Sequence, residues 1–268
     1  MTVRAPFPDV RLKHLTDRDT ARIRLYGVPP SGTGSEFFLP WVAALPELFD
    51  LTAAELPGRG ARIGEPSITD VGWAADSIAE AVTADLRRRP LADGCYALFG
   101  HSFGALLAFE ATHRLRSTVG SGPDLLALSA VPPPNRGGLG DHIAHGLASG
   151  ASAITDLMGW EQPTDDAVAR AVFTPFLADA VAQLQHTPQA RPPLSTRLSV
   201  FGGLDDPIVD PGTLDEWSAH AVAGARVHRY PGDHQYLRHR LAEVLAQLTE
   251  DLLAAYRGTS DAGAEAWH

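Results

Sequence analysis

A serine flanked by glycines, at residues 100–104, is the strongest chemical signal in the chain. The run reads Gly-His-Ser-Phe-Gly and is centred on Ser102. A short apolar run precedes it and a helix-forming segment follows it, which is the setting in which such a run makes a sharp turn and exposes a nucleophilic hydroxyl. Side chains at Gly100 and Gly104 would clash across that turn. We therefore predict that Ser102 is a nucleophile.

A serine hydroxyl needs a base to take its proton, and the chain has 11 histidines. In a strand–turn–helix arrangement of this kind, the base follows the last strand and comes after the acid in the chain. His234 follows the loop Tyr-Pro-Gly-Asp of residues 230–233 and precedes the final helical segment, so we predict that it is the base. His101 adjoins Ser102, but adjacent side chains diverge in a sharp turn. The other histidines weighed are His113, His142, His145, His186 and His228.

The acid that orients the base is expected in the loop after the preceding strand, where Asp205 and Asp206 compete. The spacing from Gly203 through Asp206 to Val209 resembles that usual for the acid in hydrolases with such a serine turn, which favours Asp206 and leaves Asp205 as a turn residue. Asp233, beside the base, is the remaining alternative and is expected to shape its turn. The acid holds the tautomer of the histidine and stabilises the imidazolium form.

A tetrahedral intermediate on Ser102 would need two N–H donors. We expect one from Phe103, the residue after the nucleophile, and one from Ser31, in the Pro-Pro-Ser-Gly loop that follows the first apolar strand. A phosphate-binding loop is the rival interpretation of this glycine-rich stretch. It is disfavoured because the Gly-Lys-Ser/Thr ending is missing.

The elements that must position these residues alternate along the chain. An alternation of strands and helices predicts an α/β protein with a mostly parallel, doubly wound sheet. Residues 1–20 are expected to form a polar extension, and residues 132–193, which contain no convincing strand, a helical lid insertion between two parts of one core, 1–131 and 194–268. Strands are predicted at 22–28, 49–56, 96–99, 124–131, 198–201 and 225–230, and helices at 35–45, 71–89, 102–115 and 237–256.

Composition limits the function classes. Apolar residues make up 44% of the 268, enough for a large core, and no stretch is long and apolar enough to predict a membrane span. The net charge of −10 argues against nucleic acid and anionic lipid as partners. A single cysteine, Cys95, and the lack of a secretory signal pattern favour a cytoplasmic location.

Several motifs together resemble type II thioesterases, the free-standing editing enzymes of polyketide and nonribosomal peptide assembly lines. Over about residues 22–253 they occur in the family's order. The chain departs from the family's usual alanine and two glycines after the Pro-Pro pair, where it has Ser-Gly-Thr, and it has no carboxylate near 129–131, where type I thioesterases carry their acid. The motifs are Val-Pro-Pro-Ser-Gly at 28–32, Pro-Trp at 40–41, Leu-Pro-Gly-Arg-Gly-Ala-Arg at 56–62, Gly-His-Ser-Phe-Gly-Ala at 100–105, Gly-Leu-Asp-Asp at 203–206 and Pro-Gly-Asp-His at 231–234.

The resemblance implies an α/β-hydrolase fold and hydrolysis of an acyl thioester carried on the phosphopantetheine arm of an acyl or peptidyl carrier protein. Ser102, His234 and Asp206 would form the triad, with Phe103 and Ser31 at the oxyanion. No cofactor or metal is expected, and we expect a monomer. The alternatives are an acyltransferase or cyclase that releases the acyl group to an alcohol or amine, an esterase for small esters, and a non-catalytic carrier-binding protein.

Overall fold

The computed structural model describes residues 7–91, 94–119, 122–136 and 165–260. Seven strands form one sheet in the order β1-β3-β2-β4-β5-β6-β7, in which only β1 runs antiparallel to its neighbour. The mostly parallel sheet predicted from the sequence is confirmed. The strands are β1 Arg11–His14, β2 Ile23–Val28, β3 Phe49–Glu55, β4 Cys95–His101, β5 Leu125–Ser129, β6 Arg197–Gly203 and β7 Ala225–Tyr230.

Helices cover both faces of the sheet, because the central strands are apolar on both sides. Apolar side chains of α2 and α3 pack with one face of the sheet, and those of α1 and α5 pack with the other. Such a doubly covered arrangement is the usual one for parallel sheets. The helices are α1 Leu39–Val42, α2 Val71–Arg88, α3 Phe103–Val119, α4 Asp166–Gln185 and α5 Leu237–Ser260.

Two local predictions differ from the structure. Residues 11–14, expected within a polar extension, form the edge strand β1 on β3. They are largely exposed, so they lack the apolar alternation that would have indicated a strand. The helix expected at 35–45 is a 3₁₀ turn, Ser35–Phe38, followed by the single turn of α1. Pro40 near the start of α1 has no N–H to continue a longer helix from the 3₁₀ turn.

The carboxyl ends of the parallel strands meet at one edge of the sheet, so the loops after β2, β4, β6 and β7 lie together there. The described part of the predicted lid, residues 132–193, contains the 3₁₀ turn Pro134–Arg136 and helix α4. Residues 137–164 lie outside the described residues, and the proposed domain limits therefore stay a prediction. In the described ranges, no helix is both long and apolar enough to cross a bilayer.

Candidate active site

The turn between β4 and α3 holds Ser102 in the left-handed region, with a φ of 54°. A non-glycine residue stays there only where the surrounding structure enforces it. A Cβ on Gly100 would lie 2.2 Å from the carbonyl oxygen of Gly104, and a Cβ on Gly104 would lie 2.2 Å from that of Val28. The N–H of Ser102 donates to the carbonyl of Ser129 at 2.8 Å. Close backbone approach therefore requires both glycines, as the sequence indicated.

His234 lies between Ser102 and Asp206. Its Nε2 is 2.9 Å from Oγ of Ser102, and its Nδ1 is 2.8 Å from Oδ2 of Asp206. With the proton on Nδ1, the ring donates to the carboxylate while Nε2 accepts the serine hydroxyl. The exposed fractions are 7% for Ser102, 2% for His234 and 8% for Asp206. The three predicted residues therefore form a shielded chain of hydrogen bonds that can move a proton away from the serine.

The loop after β6 distinguishes the two adjacent aspartates. The second oxygen of Asp206, Oδ1, accepts the N–H groups of Ile208 and Val209 at 2.8 and 3.0 Å, which fixes the carboxylate toward the histidine. Asp205 is exposed, and its N–H donates to the carbonyl of Gly232 in the loop that carries the base. Geometry therefore brings Asp206, and not Asp205, to the imidazole.

Asp233, the other alternative acid, is also exposed. Its Oδ1 accepts the N–H of Gln235 at 2.8 Å, which closes the turn before α5. The loops after β6 and β7 meet at Gly203, where a Cβ would lie 2.4 Å from the carbonyl oxygen of Asp233. This close approach of the two loops holds Asp206 and His234 next to each other.

His101 is fully buried beside the triad and belongs to a separate network. Its Nδ1 lies 2.8 Å from Oγ of Ser129, which is 2.6 Å from the hydroxyl of Tyr236. Its ring stacks on Phe37, with centroids 5.8 Å apart. Burial, with a smaller contribution from the charge of His234, lowers the pKa of His101 well below 6.5. His101 is therefore neutral, and it supports the turn rather than competing as a base.

The other histidines considered as bases contact residues outside the Ser102–His234–Asp206 cluster, or lie outside the described residues. Nε2 of His228, on β7, is 2.9 Å from Asp251 of α5. His113 packs on Phe109, and Nε2 of His186 is 3.7 Å from Glu110. His142 and His145 lie in the part of the lid that is not described.

The loop after β2 forms a tight turn beside the start of α3. The N–H of Thr33 donates to the carbonyl of Pro30 at 3.2 Å, and Gly32 has a φ of 72°, as the third residue of a type II turn requires. Among the described residues, the N–H of Ser31 has no hydrogen-bond partner. The N–H of Phe103, in the first turn of α3, lacks an intrahelical partner because helix starts leave such groups free. Both expected donors are therefore available, and their part in catalysis stays a prediction.

A family model described as Thioesterase domain matches residues 23–252. The chain belongs to the thioesterase family. A solved type II thioesterase, BorB from the borrelidin biosynthetic cluster, is 27% identical with a TM-score of 0.73, over 90% of this chain and 96% of that one. The RedJ thioesterase from the prodiginine pathway of Streptomyces coelicolor is 29% identical with a TM-score of 0.70, over 87% of this chain and 86% of that one.

A curated relative of this thioesterase, LgrE of Brevibacillus parabrevis, is 28% identical over 249 residues, which are 89% of this chain and 92% of that protein. Its name, linear gramicidin dehydrogenase, describes another reaction and applies to that protein. The family model and the solved structures confirm the resemblance to type II thioesterases, the α/β-hydrolase fold and the hydrolase class. They support a thioesterase of polyketide or nonribosomal peptide pathways over the transferase and binding-protein alternatives.

An apolar cavity of about 40 Å³ lies between the thioesterase core and helix α4. One of its lining residues, Leu106, follows Ser102 by one turn of α3, and another, Gln183, belongs to α4. A water molecule needs roughly 10–15 Å³ of such volume, so the cavity holds a few small groups. The apolar side chains that the core contributes to it are Leu106, Phe109, Val131 and Trp217.

Sequence reasoning missed one set of contacts in the thioesterase. Asp179 of α4 binds Arg59, in the Leu-Pro-Gly-Arg-Gly segment, and the N–H of Gly32. The glycines and the arginine of that segment were available as a signal, but nothing in the sequence pairs Arg59 with a residue 120 positions away. The single cysteine, Cys95, takes no part, since burial raises the pKa of its thiol to about 12.

Proposed function

We propose that the protein is an editing thioesterase that hydrolyses acyl groups from the phosphopantetheine arm of acyl or peptidyl carrier proteins, with Ser102, His234 and Asp206 as its triad. The observation that carries the proposal is the hydrogen-bonded order Ser102–His234–Asp206, with contacts of 2.9 and 2.8 Å, at a strained turn of a thioesterase-family chain. Solved relatives from biosynthetic clusters support the substrate class.

The first half of the reaction transfers the acyl group to the enzyme. Oγ of Ser102 attacks the thioester carbonyl carbon while its proton passes to Nε2 of His234, and Asp206 stabilises the imidazolium. The N–H groups of Phe103 and Ser31 bind the developing oxyanion. Collapse of this intermediate breaks the carbon–sulfur bond, and the proton from His234 leaves with the pantetheine thiol. The product is an ester on Ser102.

The second half returns the enzyme to its starting state. Water attacks the ester carbonyl while His234 accepts its proton, and the same two N–H groups hold the second oxyanion. Collapse returns a proton from His234 to Oγ of Ser102 and releases the free acid. The chain itself supplies every group in these steps, so the proposal includes no cofactor or metal; we also propose that it acts as a monomer in the cytoplasm.

The apolar cavity between the core and α4 is the candidate site for the acyl chain in this proposal. An acyl group on Ser102 would extend past Leu106 toward Trp217, whose ring is buried and whose Nε1 donates to the carbonyl of Val131 at 3.1 Å. Because that hydrogen bond fixes the ring, the far end of the cavity is rigid.

A panel of carrier proteins loaded with acyl groups of increasing length tests the proposal. The expected result is loss of the acyl mass from the carrier, with release of the free acid containing oxygen from labelled water. Ser102→Ala should leave every carrier loaded. Transfer of the acyl group to an added alcohol or amine in place of water, or turnover of p-nitrophenyl esters but of no loaded carrier, would contradict it.

A further inference from the structure

One buried carboxylate of helix α4, that of Asp179, contacts both Arg59 and the turn that carries Ser31. The guanidinium of Arg59 binds the carboxylate of Asp179 with two hydrogen bonds of 2.6 and 2.7 Å, and their side chains are 3% and 0% exposed. The oxygen of Asp179 that accepts the shorter bond also accepts the N–H of Gly32 at 2.8 Å. A paired arrangement of this kind fixes direction as well as distance. One carboxylate therefore joins three separate parts of the chain.

The same face of α4 makes a second contact with this turn. Nε2 of Gln183 lies 3.3 Å from Oγ of Ser31. Because residues four apart lie on one face of a helix, Asp179 and Gln183 contact the successive residues Gly32 and Ser31. The Ser31 hydroxyl is thereby held by the helix.

We propose that Asp179 is a positioning residue: by binding the N–H of Gly32 it holds the turn of residues 30–33 in one conformation, and so keeps the N–H of Ser31, in the preceding peptide, directed at the oxyanion. Arg59 pairs with the Asp179 carboxylate and orients it, because a buried carboxylate without a partner would be strongly unfavourable. This inference rests on the proposed function, in which the N–H of Ser31 is an oxyanion donor. It also assigns a role to the arginine of the Leu-Pro-Gly-Arg-Gly segment.

The hydrogen bond from Gly32 to Asp179 distinguishes a positioning role from a purely structural one, in which Asp179 would only attach α4 to the core. The pair between Arg59 and Asp179 would already attach the helix without any contact to the turn. Gly32 has a φ of 72°, and glycine reaches many other conformations at little cost. The turn is closed by the bond from the N–H of Thr33 to the carbonyl of Pro30, and the bond from Gly32 to Asp179 adds a partner outside the turn that fixes the direction of the Gly32 N–H.

The experiment compares Asp179→Ala and Asp179→Asn with Asp251→Asn. Asp251 is a matched control because it is also a fully buried aspartate with an arginine partner, Arg226, but belongs to the network of β7 and α5. Steady-state kinetics should be measured on an acyl N-acetylcysteamine thioester and on a p-nitrophenyl ester, at a temperature well below the Tm of each variant.

For Asp179→Ala we expect kcat to fall about 10- to 100-fold with KM little changed, a smaller loss than the 10²- to 10³-fold effect of deleting an oxyanion donor. Asp179→Asn keeps an oxygen for Gly32 but loses the charge that Arg59 binds, so its kcat should lie between those of Asp179→Ala and wild type. Affinity for a trifluoromethyl ketone, which forms a tetrahedral adduct on the serine, should fall by about the same factor as kcat/KM. Asp251→Asn should lose stability and keep its kcat.

A kcat within twofold of wild type for both Asp179 variants, with a loss of Tm like that of Asp251→Asn, would assign Asp179 to stability alone and overturn the inference. If Asp179→Ala does not fold, Asp179→Asn and Arg59→Lys decide, since lysine cannot reproduce the paired contact. The two substrates separate the inference from the proposed function. A wild type that cleaves the p-nitrophenyl ester but no carrier-bound acyl group defeats the function, and still allows the Asp179 variants to be tested.

Discussion

Two clusters in the described part of the chain bring a serine, a histidine and an aspartate together, and they differ in which residue lies in the middle. In the active site, His234 lies between Ser102 and Asp206. In the second cluster Asp251 is central: it accepts the hydroxyl of Ser199 at 2.6 Å and lies 2.9 Å from Nε2 of His228. The same three residue types therefore occur in two different orders.

The residue in the middle of each cluster decides whether its serine can act as a nucleophile. A histidine in the middle can accept the serine proton with one nitrogen while the carboxylate stabilises the other. In the second cluster the proton of Ser199 is already donated to Asp251, and the serine is fully buried within the regular strand β6. Such a serine is neither activated nor accessible. The second cluster instead ties α5 to β6 and β7.

Replacing the two serines gives the largest expected contrast. Ser102→Ala should lower kcat on the order of 10⁴-fold or more, because among the described residues Ser102 supplies the hydroxyl hydrogen-bonded to Nε2 of His234. Ser199→Ala should leave kcat within about twofold, since it removes one hydrogen bond far from the reaction. Acyl release from a loaded carrier, followed by intact mass, measures both. Retained turnover by Ser102→Ala would show that the order in the cluster does not select the nucleophile.

Replacing the aspartates of the loop after β6 is expected to have the next largest effect. Asp206→Asn should lower kcat by about 10²- to 10⁴-fold, because an amide favours the wrong tautomer of His234. Asp205→Asn is the matched control and should stay within about twofold, since its exposed side chain does not approach the ring. Rates for both variants should be taken at one pH with one substrate. Equal losses would contradict the assignment of the acid.

Substitutions in the second cluster should change the free energy of unfolding and leave the rate of the reaction unchanged. Burial by itself raises the pKa of Asp251, but hydrogen bonds from His228 and Ser199 outweigh it and hold the pKa below 3.8. A carboxylate with a lowered pKa stabilises the fold above its unfolded pKa, and this stability is lost as the pH falls through the folded value. Asp251→Asn should therefore lower the free energy of unfolding by about 1–3 kcal/mol at pH 7. The difference from wild type should shrink below pH 4.

Urea unfolding of wild type and Asp251→Asn at pH 7, 5 and 3.5 measures this effect. A difference that stays constant through pH 3.5 would show that packing rather than the charge of the carboxylate carries it.

The smallest effect is expected at the edge of the second cluster. Nε2 of Gln247 lies 3.4 Å from Oδ1 of Asp251, beyond the usual length of a strong hydrogen bond. Gln247→Ala should change the free energy of unfolding by less than about 0.5 kcal/mol. A loss as large as that of Asp251→Asn would mean that the long contacts, and not the short ones, stabilise this cluster.

The arrangement of the candidate active-site residues could be predicted because the proposed chemistry fixes both their order and their places on the chain. Ser102 needed a strand before it and a helix after it, and Asp206 and His234 had to follow successive later strands. The parallel sheet then brings these loops together whatever the details of the helices. The choice of Asp206 over Asp205 rested on spacing, and the structure agrees with it through the N–H groups of Ile208 and Val209.

Other features could not be predicted because no pattern in the sequence indicates them. Strand β1 is an exposed edge strand held by backbone hydrogen bonds to β3, so its side chains do not alternate between apolar and polar. The pair between Arg59 and Asp179 joins two segments 120 residues apart. The second cluster was equally hidden, since a histidine within a strand and an aspartate within a helix indicate nothing until the two elements pack.

The buried thiol of Cys95 makes the protein convenient for site-selective labelling. Because this single native cysteine is buried and its pKa is raised to about 12, a maleimide reagent near neutral pH should leave it unmodified. A cysteine introduced on the outer side of α4, as in Leu184→Cys, where the native side chain is 47% exposed, would then be the only reactive thiol. A fluorophore or spin label there would report how far that helix moves from the core when a loaded carrier protein binds.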